Sequence, residues 1–382
     1  MTTAHVIGND ALVSHAFNGD GSQLAISVNT SDVYLLRVPT NATAKYQILD
    51  VLHEHTALVT GLDWAPKSDR IVSCSADRNA YVWTKQCDGK WKPTLVVLMI
   101  DRAAICVRWS PLEDRFAVGS GCKLVAVCCF DKELDWWTSK HIKKHFRSTV
   151  TCLDWHPNNS VLACGSSDFH MRVYSAHIKS GDTQSAWGNH SSLGDVLFEH
   201  YECEGGWVLG VSFSADGNKL VWTKHNSLIF VADVSGNGDT KNGVRSGPAV
   251  VTFLRTDFLP FISCLWVGPS TFITAGYDCC PIAFKYTDGT IQYVHKLDVK
   301  SETKASGKFS AMKKFQDIDR MATTDNVGSR LPTVHQNCIN ELRLYRGNRS
   351  DASRISSIGR DGYLVFWDLP SLCQEIAQLS IA

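Results

Sequence analysis

The chain has 382 residues, 44% of them hydrophobic, with 38 basic and 38 acidic side chains in balance. That length allows two ordinary domains or one large repeat architecture, and the neutral charge gives no footprint of a nucleic-acid or acidic-lipid binder. No run approaches 18 apolar residues, and the opening MTTAHVIGNDALVSHAF lacks a charged region followed by an apolar one, so neither a membrane span nor a signal peptide is expected.

In chain order, His5-Val6-Ile7 reads as a short strand, and His15-Ala16-Phe17-Asn18 as the first copy of a recurring element. A fuller copy begins at His55, four residues ahead of Val59, and runs Gly61-Leu62-Asp63-Trp64-Ala65-Pro66. It continues through Ile71 to the turn acid Asp77, then Ala80-Tyr81-Val82-Trp83. The third copy is Cys106-Val107-Arg108-Trp109-Ser110-Pro111. The fourth, Cys152-Leu153-Asp154-Trp155-His156-Pro157, leads through Val161 to Asp168 and on to Met171-Arg172-Val173-Tyr174. Weaker copies follow at Gly210-Val211-Ser212-Phe213 and Ser263-Cys264-Leu265-Trp266. The last, Leu342-Arg343-Leu344, follows His335 and leads to Asp361 and Tyr363-Leu364-Val365-Phe366-Trp367-Asp368.

The anchors Phe17, Trp64, Trp109, Trp155, Phe213, Trp266 and Leu344 are 47, 45, 46, 58, 53 and 78 residues apart. The shorter intervals match a four-stranded propeller blade, at roughly 40–45 residues per unit plus small loops. A His ahead of the first strand, an Asp in the second turn and a closing Trp-Asp are the WD40 signature. The predicted fold is therefore all-β: one seven-bladed WD40 propeller over residues 1–382, with an inserted segment at 285–334. Seven sheets packed radially bury both faces of each and leave only short edges. Either His5-Val6-Ile7 or Glu375–Ile381 supplies the strand that closes the ring.

Two constellations invite a catalytic reading. Asp154 and His156 lie two apart on a strand and so share a face, as a base with its orienting acid would. The His156 position, however, holds Ala65, Ser110 and Ser214 in other copies, so both residues read as strand-end structure. His55, Asp77 and Ser73 have the composition of a triad, but with Trp83 they read as a buried network holding the blade together. Such a network satisfies groups that are costly when unpaired. Asp168, Asp361 and Trp367 take the same structural role. No catalytic residue, metal site or cofactor is expected. Most of the 14 cysteines sit in apolar strand-like runs and none are spaced C-x2-C, so they read as reduced core thiols.

Three segments depart from the repeat. Glu133–Thr149 (ELDWWTSKHIKKHFRST), read as a connection into the fourth blade, sets Lys140, Lys143, Lys144 and Arg147 beside Trp136 and Trp137. It is either a partner contact, since Trp and Arg are favoured interface anchors, or a solvated face. The Gly-rich run Ser235–Pro248 lacks a P-loop Lys-Ser/Thr and reads as a flexible loop. The long interval 285–334 is unusual inside a compact propeller. Its middle, Lys308–Ile318, is predicted as a short helix with Phe309, Met312 and Phe315 on one face. That face needs cover, either from the propeller's own side or from a groove on another protein.

Several segments are more specific than generic WD40 vocabulary. They include Ala65–Val72, Asp77–Val82, Arg108-Trp109-Ser110-Pro111, Asp135-Trp136-Trp137 with Ser139–Lys144, and Leu153–Asn159. Gly206-Trp207-Val208 and Phe309-Ser310-Ala311-Met312 complete the set. On these the chain resembles the WD-repeat subunit 1 (p40/p41 type) family of the actin-related protein 2/3 (Arp2/3) complex, over nearly its whole length. The resemblance implies a non-enzymatic, cytoplasmic subunit of the actin cytoskeleton, held beside two actin-related subunits and small scaffold subunits. It implies a role in nucleating branched filaments, with nucleation-promoting factors as a further partner class. It also implies that Phe309, Met312 and Phe315 face the mother filament. The competing reading is a generic WD40 peptide-binding scaffold, of the ligase-adaptor or histone-tail type.

Overall fold

A computed structural model describes residues 2–39, 46–178, 185–188, 192–202, 204–236, 244–298 and 331–369. Seven antiparallel sheets follow one another around a central channel. Blades one to four are built from residues 12–52, 59–97, 104–142 and 150–201, each as four strands in simple up-and-down order. Blade five (208–255) has a fifth strand, because Val244–Ser246 pairs with Ala249–Arg255 as an outer hairpin. That pairing gives strand structure to part of the run read as a loop.

Blade six ends with Ile282–Thr287 and Thr290–Lys296, so the inserted segment begins after Lys296 and not at Lys285. The alternation in Ile282–Thr287 and Thr290–Lys296 is strand-like, but no Trp-Asp ending marks it off from the long interval that starts at Lys285 in the sequence reading. Blade seven takes three strands from the end of the chain and its fourth from the start. Thr3–Val6 pairs with Tyr363–Asp368, Thr3 opposite Phe366 and Val6 opposite Tyr363. Glu375–Ile381 lies outside the described residues.

The inner strands of blades two to six end on or beside the repeat anchors and pack against their neighbours around the channel. Each has a register shift near its first residues, as at Val59/Gly61, Ala104/Cys106 and Ile339/Glu341. A bulge re-aims the extra side chain, and here it aims at the next blade. Thr60 Oγ1 donates to the carbonyl of Ala104 at 2.9 Å, Thr151 Oγ1 donates to that of Val208, and Asn340 Nδ2 donates to that of Leu12 at 2.6 Å. The last of these joins blade seven to blade one.

The anchor aromatics fill the wedges between blades. Trp64, Trp109, Trp155, Phe213 and Trp266 are all buried. The indole N–H groups of Trp155 and Trp266 donate to the carbonyls of Arg108 and Ser212 in the preceding blade, each at 3.0 Å. Apolar burial of this kind supplies most of the drive for closure. These bonds satisfy the one polar atom each ring carries.

Candidate interaction surfaces

The His-Asp-Ser-Trp set of blade two is a relay with no open end. His55 Nδ1 lies 2.7 Å from Asp77 and Nε2 lies 2.8 Å from Ser73 Oγ, which also accepts the Trp83 indole N–H at 2.9 Å. A neutral imidazole fits this chain, donating to Asp77 and accepting from Ser73. Burial is the main reason the His55 pKa lies below its ordinary value, against the opposing pull of Asp77. Ser73 is fully buried, so no substrate can reach its hydroxyl. Blade seven repeats the geometry: His335 meets Asp361 at 3.0 Å and Ser357 at 2.8 Å, and Trp367 donates to Ser357 at 2.8 Å.

Blade four fills the same positions differently. The His, Ser and Trp places hold Phe146, Cys164 and Tyr174, all buried. Asp168 instead pairs with Arg172 at 2.9 Å, and Arg172 also donates to Glu199 at 2.8 Å. One contact is common to these blades. Asp77, Asp168 and Asp361 accept the backbone N–H of Thr56, Arg147 and Gln336, at 3.1, 2.9 and 2.7 Å.

Asp154 and His156 do not pair as a base with its orienting acid; each is bonded elsewhere. The His156 ring packs edge-on against Phe213 at 5.1 Å and takes the Asn158 N–H on Nδ1 at 3.0 Å. It also covers Gly217, whose φ is +76° and where an added Cβ would lie 2.1 Å from the imidazole Nε2. Asp154 accepts the Phe213 N–H at 2.7 Å and receives both ends of the Arg349 guanidinium, at 2.6 and 2.8 Å.

Asp154 belongs to a set of charges that sequence reasoning did not assemble. The residue before the anchor aromatic is Asp63, Arg108 and Asp154 in blades two to four, and the matching residue of blade seven is Arg343. All four line the central cavity, of about 790 Å³, together with Glu341 and Arg349. Arg343 bonds Asp63 at 2.9 Å, Arg108 bonds Glu341 at 2.9 Å, and Glu341 also accepts from Ser14, at 3.1 Å, and from the His15 backbone N–H, at 2.9 Å. Burial alone would raise the Glu341 pKa, but Arg343 and Arg108 outweigh it and hold the carboxyl well below the usual range. Opposite charges at one repeat position were the available signal. Among the described residues no three His, Cys, Asp or Glu side chains converge as a metal site requires.

The tryptophan pair and Lys140 are not in a connection, whereas Lys143, Lys144 and Arg147 lie in the loop into blade four. Trp136–Ile142 is the outer strand of blade three, paired along its length with Val125–Asp131. Trp137 is buried against Trp109, Phe116 and Phe130 and cannot serve as a partner contact. Strand alternation, which separates its face from that of Trp136, is the reason. Trp136 is exposed at the far end of the strand, away from Lys140, Lys143, Lys144 and Arg147, which are all exposed. Phe309, Met312 and Phe315 lie outside the described residues.

A WD domain, G-beta repeat family matches residues 46–84 and 136–175. The chain is 46% identical over 377 residues to "Actin-related protein 2/3 complex subunit 1A-B" of Xenopus laevis, covering 97% of this chain and 98% of that one. It is 37% identical to "Actin-related protein 2/3 complex subunit 1" of Schizosaccharomyces pombe, with 93% and 96% covered. It is 35% identical to "Actin-related protein 2/3 complex subunit 1A" of Arabidopsis thaliana, with 96% of both covered. With a seven-bladed propeller and similarity over nearly its whole length to proteins from three such distant organisms, the chain belongs to the family of actin-related protein 2/3 complex subunit 1.

Proposed function

We propose that this propeller is a non-catalytic subunit of an Arp2/3 complex and supports nucleation of branched actin filaments. The observation that carries this is the end-to-end similarity to named subunits. The interior agrees in kind, since its triad-like sets are sealed and end on structural tryptophans. Its partners in this reading are the two actin-related subunits, the small scaffold subunits and the mother filament. Nucleation-promoting factors are a further class, and the setting is the cytoplasmic actin cytoskeleton.

Two surfaces are assigned to contact. Phe309, Met312 and Phe315 of the insert face the filament, and Lys140, Lys143, Lys144 and Arg147 meet a partner from blade three and the loop after it. Trp136 is a separate exposed anchor at the other end of its strand. Isolation of the tagged chain from cell extract under mild conditions should recover two actin-like proteins and four small subunits in equal amounts. Recovery of a single unrelated peptide-bearing partner, with no actin-like protein, would replace this reading with the generic WD40 receptor. Alanine at Phe309, Met312 and Phe315 together should reduce branching by reconstituted complex without altering propeller stability. Normal branching would remove the filament assignment.

A further inference from the structure

The inner hairpin of blade seven is longer than its counterparts. Its strands Ile339–Asn348 and Asp351–Gly359 have 10 and 9 residues, where the inner pair of blade four, Val150–Trp155 and Val161–Ser166, has 6 and 6. The hairpin bonds all six other blades, from Glu341, Leu342 and Arg343 in its ordinary part and from Arg349 and Ala352 in its extension. Glu341 takes Ser14 and His15 of blade one and Arg108 of blade three. Arg343 takes Asp63 and the Leu62 carbonyl of blade two, at 2.9 and 2.7 Å. Arg349, at the hairpin tip, takes Asp154 of blade four and the Phe213 carbonyl of blade five. For blade six, the Leu342 N–H donates to Ser263 at 3.1 Å and the Ala352 N–H to the Val267 carbonyl at 3.0 Å.

The segment that leads into this hairpin is itself fastened. The Val334 N–H donates to the Asp298 carboxylate, which joins the two ends of the inserted interval. His335 and the Gln336 N–H are held by Asp361, and the strand begins at Ile339. From the foot of the insert to a hairpin anchored on six blades there is one short, bonded stretch of chain.

We infer that this hairpin, through Glu341, Arg343 and Arg349, positions the root of the insert against the whole ring. The inference rests on the filament-contact reading of the insert. A recognition element on a fixed base loses less freedom when it binds than one on a loose base. The charges make the base stiff, because removing one partner leaves a largely buried carboxylate, Glu341 or Asp154, short of its counter-charge. None of the three is placed at a contact surface; they act through the strand they belong to.

The test compares reconstituted complexes carrying Glu341→Gln or Arg349→Ala with the parent, by hydrogen exchange and by branch formation. Exchange should rise at Leu331–Cys338 in both variants, and in Glu341→Gln also at Leu12–Phe17, a blade distant in sequence. Branching should fall by at least about threefold, near 0.7 kcal/mol of lost preorganisation, in complexes of unchanged composition. Arg349→Ala keeps the test available if Glu341→Gln fails to assemble, since Arg349 sits at the hairpin tip. Unchanged exchange at Leu331–Cys338 in both variants overturns the inference. Raised exchange with normal branching also overturns it, provided the Phe309, Met312 and Phe315 alanine variant branches poorly. If that variant branches normally too, the filament reading has failed, and the exchange result alone decides whether the hairpin holds the root.

Discussion

Blades two and four solve one structural problem with different chemistry. Blade two threads a proton-ordered chain from Trp83 through Ser73 and His55 to Asp77. Blade four keeps the acid but stacks Phe146 on Tyr174, with ring centres 5.2 Å apart, and seats Arg172 over the Phe146 ring at 5.6 Å. What survives the exchange is the carboxylate accepting a backbone N–H from the loop before the inner strand. That contact fixes the loop, and the rest of the set has only to fill the space and leave nothing unpaired. Blades two, four and seven thus share one hydrogen bond and a filled volume, and the familiar tetrad is one way of meeting both.

The strongest challenge to this view removes the shared acid. Asp168→Ala leaves the buried Arg172 with Glu199 as its remaining carboxylate, and should cost about 4 kcal/mol in urea unfolding. Asp77→Ala should cost about 3 kcal/mol, because it frees the Thr56 and Asn79 N–H groups and His55 together. A loss below 1 kcal/mol at either position would show that the acid is not the common element.

A smaller effect separates the two blades. Ser73→Ala strands the His55 Nε2 and the Trp83 N–H and should cost about 2 kcal/mol. Cys164→Ala, at the equivalent place in blade four, removes a buried sulfur and should cost about 1 kcal/mol. Equal losses would mean that the polar chain in blade two contributes no more than its packing.

Acid should act through the buried histidines, that of blade two among them. The folded His55 pKa lies below the unfolded value of about 6.5. The folded state therefore binds fewer protons, and its contribution is complete above that pH and lost as pH falls through the depressed value. His15 is depressed by burial in the same direction, and His200 to about 4. Stability should decline below about pH 6.5, with a second loss below about pH 4.3 as the Glu341 contribution, also complete only above its unfolded pKa, fades. A His55→Phe, Ser73→Cys, Trp83→Tyr variant, which grafts blade four's side chains onto blade two, should show a shallower first decline. An unchanged slope would assign that decline to the other histidines.

The weakest expected effect is at the surface. Alanine at Lys140, Lys143, Lys144 and Arg147 together should leave stability within about 0.5 kcal/mol, while partner retention in the complex falls. Full retention would return the run to the solvated face.

The blade count was legible because the anchor aromatics recur and because Asp77 and Asp361 stand at fixed distances from Trp83 and Trp367. Blade six was harder to bound, since its Thr290–Lys296 strand carries no motif and reads only as alternation. Trp137 was misread as a partner contact because neighbouring tryptophans look alike in a sequence, and only the strand's pleat puts them on opposite sides. The cross-channel pairs were invisible for a different reason. Arg349 and Asp154 are 195 positions apart, and no local pattern links them. Only the closed ring brings hairpin tip and far wall together.

Closure by the N-terminal strand also sets a timetable. Thr3–Val6 is made before every other described strand, yet its partner Tyr363–Asp368 is the last of them. Through most of synthesis the growing chain must carry an incomplete set of blades with open edges, the condition under which unpaired strands are most exposed to wrong partners. The pairing of Thr3 with Phe366 also joins residues very far apart in sequence, which makes it a slow one to form. Deletion of Thr3–Val6 should therefore be felt far along the sequence, in the blade that Tyr363–Asp368 belongs to.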